Sequence, residues 1–130
     1  MVKLPEGLQG LANLMVENSA DLLRKSDGPM LPTLMASDDP PNAAVITVIE
    51  GSTLEEALRL ARQATNAISK VCRAYVLAWD GYVTLGSERS DAILMEAYES
   101  SLERPALLAQ RYMRRPFELV GSIVGVDEMR

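Results

Sequence analysis

The sequence predicts an α+β domain in which two amphipathic helices cover one face of an antiparallel sheet of about six to seven strands. Two segments of the first half carry apolar residues at helical spacing, and a run rich in β-branched residues lies between them. The second half is a succession of short apolar segments separated by turns. The chain has 130 residues, the length of one ordinary domain, so we expect residues 1–130 to form a single domain.

The first predicted helix runs from about Leu8 to Lys25. Its apolar side chains recur every three or four residues and therefore share one face. The segment Ser26–Pro29 ends the helix, because glycine accepts a left-handed cap and proline cannot continue the helical hydrogen bonding.

Two strands are predicted before the second helix. Met30–Ser37 is the first, and Pro32, which has no N–H group to donate, places it at a sheet edge or makes it irregular. Ala43–Glu50 is the second, and its almost continuous apolarity indicates a strand that is covered on both faces or central in the sheet. The segment Asp38–Asn42 between them has the composition of a loop.

The second predicted helix, Thr53 to about Lys70, has the clearest apolar stripe in the chain. Ser52 and Glu55 have the spacing of a capping box, in which each side chain satisfies an exposed N–H group at the helix start. The sequence therefore predicts that Ser52 caps this helix.

A hairpin is predicted after the second helix. Cys72–Trp79 and Tyr82–Leu85 are its strands, and Asp80-Gly81 forms the turn, because Asp-Gly suits a type I′ turn. In this arrangement Trp79 and Tyr82 form an aromatic pair across the two strands.

Three further strands complete the predicted sheet. Asp91–Glu99 has residues that favour a helix, but it is short and follows a hairpin, so we expect a strand. Ala106–Met113 and Phe117–Val126 are the last two strands.

The order of these elements resembles that of the roadblock/longin-type dimerisation modules. Three segments also resemble a pattern in small bacterial proteins to which no activity is attached. These segments are DGYVTL, DAILMEA and AQRY, at Asp80–Leu85, Asp91–Ala97 and Ala109–Tyr112.

The composition excludes several classes of protein. The chain has no histidine and one cysteine, so it cannot build a Ser-His-Asp triad, a histidine zinc site or an internal disulfide. Its net charge is −5, and the densest basic spot is Arg111, Arg114 and Arg115, so we expect no nucleic-acid binding. No apolar run approaches the length of a membrane span, and the N-terminus lacks the apolar run of a signal peptide. We therefore expect a cytoplasmic protein that has no contact with the membrane.

Arg111 is the strongest candidate for chemistry. On a strand, Tyr112 lies on the opposite face from Arg111, and a covered Arg111 needs a carboxylate partner such as Glu96 or Glu118. One interpretation is an ion pair on the sheet surface. The other is a site in which Arg111, Glu96 and Tyr112 bind a carboxylate or phosphate ligand.

The few aromatic residues also have two interpretations. Trp79 and Tyr82 flank the predicted turn, with Tyr75 nearby, and they either stabilise the hairpin or anchor a partner or ligand. Asp38-Asp39 suits a solvated turn better than a divalent-cation site. Cys72 suits a small core residue, because no histidine is present to activate it. We expect no metal and no cofactor.

Two hypotheses for function remain. The first is a non-enzymatic protein-interaction or regulatory module of a bacterial cytosol that forms a homodimer, because helices on one face leave the other face or a strand edge unprotected. The second is a small ligand-binding protein or enzyme that uses an Arg/Tyr/carboxylate pocket. A large apolar surface favours the first, and a pocket with several convergent polar side chains favours the second.

Overall fold

The computed structural model describes residues 3–43 and 45–126. In these residues, two helices accompany an antiparallel sheet of six strands in the order β2-β1-β3-β4-β5-β6, which confirms the predicted α+β class. The elements are α1 (Glu6–Arg24), β1 (Thr33–Ser37), β2 (Val45–Val48), α2 (Leu54–Ile68), β3 (Ala74–Leu85), β4 (Glu88–Glu99), β5 (Ala106–Arg114) and β6 (Phe117–Gly125). The segment predicted as Asp91–Glu99 is a strand, as are the two segments that follow it.

The two helices lie on opposite faces of the sheet, which corrects the prediction that they share one face. On β3, Val76 belongs to the apolar cluster of α1, whereas its neighbour Leu77 belongs to the cluster of α2. On β1, Met35 and Leu34 divide between the two clusters in the same way. Successive side chains of a strand point to opposite faces, so each of these strands has one side covered by each helix.

The larger core lies under α1. Leu8, Leu11 and Met15 are fully buried there and pack against the α1 face of the sheet, which includes Met35 and Met95. α1 packs mainly against β3, β4 and β6, whereas α2 packs mainly against β1 and β3 on the other face. The spacing of apolar residues predicted an apolar stripe on each helix, but it did not indicate which strands each stripe would cover.

The first two strands lie in the opposite places to those predicted: the first is interior, and the second is at the edge of the sheet. All of β1 is buried, and β1 lies between β2 and β3 in the interior of the sheet. Pro32 precedes the strand, so its missing N–H group interrupts no ladder, and its carbonyl oxygen accepts a hydrogen bond from the Ile49 N–H group at 2.8 Å. The apolar strand β2 is the edge strand, and all four of its residues are exposed.

The predicted turn at Asp80-Gly81 is also wrong. β3 runs without a break from Ala74 to Leu85, and Asp80-Gly81 lies in its interior, opposite Ile93 and Ala92 of β4. The chain turns at Gly86 and Ser87 instead, where Gly86 has a φ of 62° that suits glycine at the first central position of a tight hairpin turn. Trp79 and Tyr82 therefore do not pair, since Trp79 lies opposite Leu94 and Tyr82 opposite Asp91.

Helix α2 begins one residue later than the capping prediction requires. Thr53 is the N-cap residue, and its hydroxyl oxygen accepts a hydrogen bond from the Glu56 N–H group at 3.1 Å. Ser52 donates its hydroxyl proton to the Glu56 carboxylate at 2.8 Å. Hydrogen bonds from the side chain and the backbone of Ser52 lower the pKa of Glu56. Thr53 therefore caps the helix, and the Glu56 carboxylate is bound by Ser52.

This capping arrangement predicts the effect of two alanine substitutions. Thr53→Ala should lower the free energy of unfolding by ~1 kcal/mol, because a backbone N–H group at the helix start loses its acceptor. Ser52→Ala should cost less, since it removes one hydrogen bond between two exposed side chains. Urea denaturation of both variants measures the difference, and a larger loss for Ser52→Ala would contradict the observed cap.

Candidate functional site

The structure divides the predicted ligand-binding residues between the two faces of the sheet. Glu96 and Arg111 lie on the α2 face, whereas Tyr112 lies on the α1 face in the larger core. Glu96 is paired in register with Leu107, and Arg111 is paired with Ala92, so Glu96 and Arg111 are four register pairs apart along β4. The pocket predicted from Arg111, Glu96 and Tyr112 is therefore not formed, and Glu96 is not the partner of Arg111.

Glu96 is the centre of a different group on the α2 face. It is 6% exposed, and one of its carboxylate oxygens accepts a hydrogen bond from the Tyr75 hydroxyl at 2.7 Å. The other carboxylate oxygen forms an ion pair with Arg62 of α2. The Arg62 guanidinium also lies over the Trp79 ring, 5.8 Å from its centroid. Sequence reasoning missed Arg62, because nothing in the spacing of a helical arginine shows which strand lies beside it.

The electrostatics of this group favour a structural role. Burial raises the pKa of Tyr75 above its usual value, and the hydrogen bond to Glu96 raises that pKa further. The tyrosine therefore remains protonated and a donor at neutral pH. Each Glu96 carboxylate oxygen already has a partner from the same chain, so the group links α2 to β3 and β4.

A second group forms on the α1 face around Asp80. Its Oδ1 atom accepts a hydrogen bond from the Tyr112 hydroxyl at 2.6 Å, and its Oδ2 atom accepts one from the Met30 N–H group at 3.1 Å. Arg114 lies 3.5 Å from the same Oδ2 atom and donates to the carbonyl oxygen of Gly28 at 2.7 Å. This group ties the segment after α1 to β3 and β5, so Tyr112 has a structural partner rather than an open site.

The other predicted candidates are dispersed. Tyr82 is half-exposed on β3, and the guanidinium of Arg89 lies 3.8 Å from the centroid of its ring. Arg111 lies beside Gly121, where an added Cβ atom would be 3.5 Å from its Nη2 atom. In the part of the chain that the structure describes, no ion pair involves Arg111 or Glu118. These residues do not converge on a shared pocket.

The acidic loop and the cysteine are the remaining candidates for chemistry. Asp38 accepts a hydrogen bond from the Arg73 N–H group at 3.2 Å, and Asp39 accepts one from the Asn42 side chain at 3.3 Å. Cys72 is a free, partly exposed thiol in the loop after α2. Among residues 3–43 and 45–126, no group of three acidic or cysteine side chains could hold a metal ion.

The free edge of the sheet carries the clearest surface feature. Val45, Ile46 and Val48 of β2 are 49%, 54% and 47% exposed, and Val71 after α2 is 74% exposed. A groove of about 470 Å³ runs between α2 and the two outer strands. Its lining is apolar except for one threonine and consists of Leu34, Ala36, Val45, Thr47, Ile49, Ala64, Ala67, Ile68 and Val71. We call β2 and this groove together the edge surface.

One sequence signal for the edge surface existed. Residues 43–49 contain no charged side chain, whereas edge strands that avoid association usually carry lysine, another charge or proline. The same signal also fits a strand in the middle of a sheet, so the strand order was needed to choose between the two interpretations.

No helix in residues 3–43 and 45–126 combines the length and apolarity that a membrane span requires. Comparison of the chain with protein-family models, curated proteins and solved structures finds no match. The functional interpretation therefore depends on the geometry of the edge surface and of the polar groups.

Proposed function

We propose that the protein is a non-enzymatic interaction module of the bacterial cytosol that forms a homodimer through the edge surface. The observation that carries this proposal is the exposed, uncharged edge strand β2. Such a strand has unpaired backbone donors and acceptors along its outer side, which favour pairing with another chain. The single cysteine supports a reducing compartment such as the cytosol.

The apolar groove next to β2 strengthens this proposal. Apolar patches of this kind on a small protein favour association with another protein, because burial removes apolar area from water. Val71, which lines the groove, is the most exposed large apolar residue in the described chain. Strand edge and groove are continuous, so one partner can bury both.

The polar groups support an interaction module over an enzyme. Glu96 and Asp80 are the carboxylates of the two polar groups, and donors of the same chain satisfy both of them. A catalytic site requires polar groups that converge on a space where substrate can lie. Arg111, Glu96 and Tyr112, the residues expected to bind a ligand, do not converge on such a space.

The oligomeric state of one variant tests the proposal. Ile46→Lys places a charge at the middle of β2 in both copies, so the dimer would bury two like charges. We expect the wild type to sediment as a dimer at tens of micromolar. The variant should raise the dissociation constant at least about 100-fold, since several kcal/mol are lost when charges are buried without partners.

Leu22→Lys is the matched control for this experiment. Leu22 is an exposed apolar residue of α1, at 38%, and its substitution introduces the same charge away from β2. The control should remain dimeric. A wild type that sediments only as a monomer would overturn the homodimer, and equal weakening by both variants would overturn the role of β2.

A further inference from the structure

We infer that two copies of the chain pair antiparallel through β2 around a two-fold axis at Thr47 and form one continuous sheet of twelve strands. This inference rests on the proposed homodimer and adds its register. Three independent features of the edge surface support it: the direction of the free backbone groups, the side chains on each face, and the charges at the two ends of α2.

The backbone groups favour a register centred on Thr47. Ile49 donates its N–H group to Pro32, so in the alternation of an antiparallel ladder the backbone groups of Thr47 and Val45 also face β1. Those of Ile46 and Val48 therefore face the free edge. With the axis at Thr47, Ile46 lies opposite Val48 of the second copy, and the two residues can exchange both backbone hydrogen bonds.

The side chains are compatible with this register on both faces. Ile46 and Val48 are exposed on the α1 face. The axis at Thr47 places Ile46 of each copy directly opposite Val48 of the other copy. On the α2 face, Thr47 meets itself and Val45 meets Ile49. All of these residues are β-branched, and β-branched cross-strand pairs stabilise sheets. No charged side chain in residues 45–49 opposes the pairing.

The charges of α2 identify a second copy as the occupant. α2 begins shortly after Ile49, and the segment after its last turn lies beside Val45, because Val71 and Val45 line the same groove. In the inferred register Val45 lies opposite Ile49 of the second copy. This register would place the exposed Lys70, two residues beyond the end of α2, on the side of the acidic first turn of the second α2, which carries Glu55 and Glu56. The two-fold axis repeats this attraction, so each end of one helix has an opposite charge across from it.

Disulfide cross-linking of a single introduced cysteine tests this register directly. Thr47→Cys in a Cys72→Ser background places two cysteines in a non-hydrogen-bonded antiparallel pair, where Cα atoms are ~4.5 Å apart. This separation lies within the range in which disulfides form. After mild oxidation, we expect most of the protein to migrate at twice the mass of the chain on non-reducing gels, and to return to the single mass on reduction.

Val45→Cys in the same background is the matched control. Val45 is also exposed on β2, but the two copies of residue 45 would be about 13 Å apart, four residues along the strand, and should not cross-link. A dimer by sedimentation with no cross-link at residue 47 overturns the register and leaves the homodimer standing. Cross-linking at residue 45 instead of 47 also overturns the register, and a monomeric wild type overturns both proposals.

Discussion

Asp80→Ala should lower the free energy of unfolding by about 3 kcal/mol. The substitution leaves the buried Tyr112 hydroxyl and the Met30 N–H group without an acceptor, and each buried unsatisfied group costs about 1–3 kcal/mol. It also removes the carboxylate next to Arg114, whose other hydrogen bonds hold the segment after α1. Urea denaturation monitored by Trp79 fluorescence measures the loss.

Two further variants complete this experiment. Asp80→Asn keeps one carbonyl oxygen as an acceptor, so its loss should be smaller, at about 1–2 kcal/mol. Asp91→Ala removes an exposed carboxylate from the neighbouring strand and should change stability by less than about 0.5 kcal/mol. Equal effects of Asp80→Ala and Asp91→Ala would show that Asp80 does not organise the α1 face of the sheet.

Alkaline pH should destabilise the protein through Tyr75 and Tyr112. Burial raises the pKa of both hydroxyls above the ordinary value of 10.0, and the hydrogen bonds to Glu96 and Asp80 raise these pKa values further. Above pH 10 the unfolded chain releases these protons while the folded chain retains them. Each tyrosine therefore removes about 1.4 kcal/mol of stability per pH unit, from pH 10 up to its own folded-state pKa.

Phenylalanine variants separate this effect from other alkaline titrations. The double variant with Tyr75→Phe and Tyr112→Phe should lose roughly 2 kcal/mol at pH 7, because two hydrogen bonds disappear. Its stability should then decline less steeply than that of the wild type between pH 10 and 11.5. Tyr82→Phe, at a half-exposed tyrosine, is the control and should keep the wild-type slope. A double variant with an unchanged slope would contradict the roles assigned to both hydroxyls.

Local sequence patterns were sufficient for the type of most elements. The apolar stripe of Leu54–Ile68 specifies a helix, because its spacing matches the helical period. The run at Val45–Val48 indicates a strand, because its residues are β-branched. Asp91–Glu99 had helix-favouring residues and is nevertheless a strand, since the ladders with β3 and β5 on both sides override a weak local preference.

The candidate site was less accessible from the sequence. Arg111, Glu96 and Tyr112 were chosen for their chemistry, and Glu96 and Tyr112 do lie in buried polar groups. Their partners, Arg62 and Asp80, are far from them in sequence, and Asp80 had been assigned to a turn. A pairing of this kind depends on strand register and on the position of α2, which no local spacing encodes.

By itself the sequence determined the α+β class, the approximate limits of the helices, and an uncharged apolar segment at residues 43–49. Only the tertiary structure decided that this segment is the edge strand, that Thr33–Ser37 is interior, and that the helices lie on opposite faces. The physical reason is that apolar patterning records how much of a side chain avoids water. Which surface provides the cover, whether a helix, a neighbouring strand or a second chain, depends on contacts between residues distant in sequence.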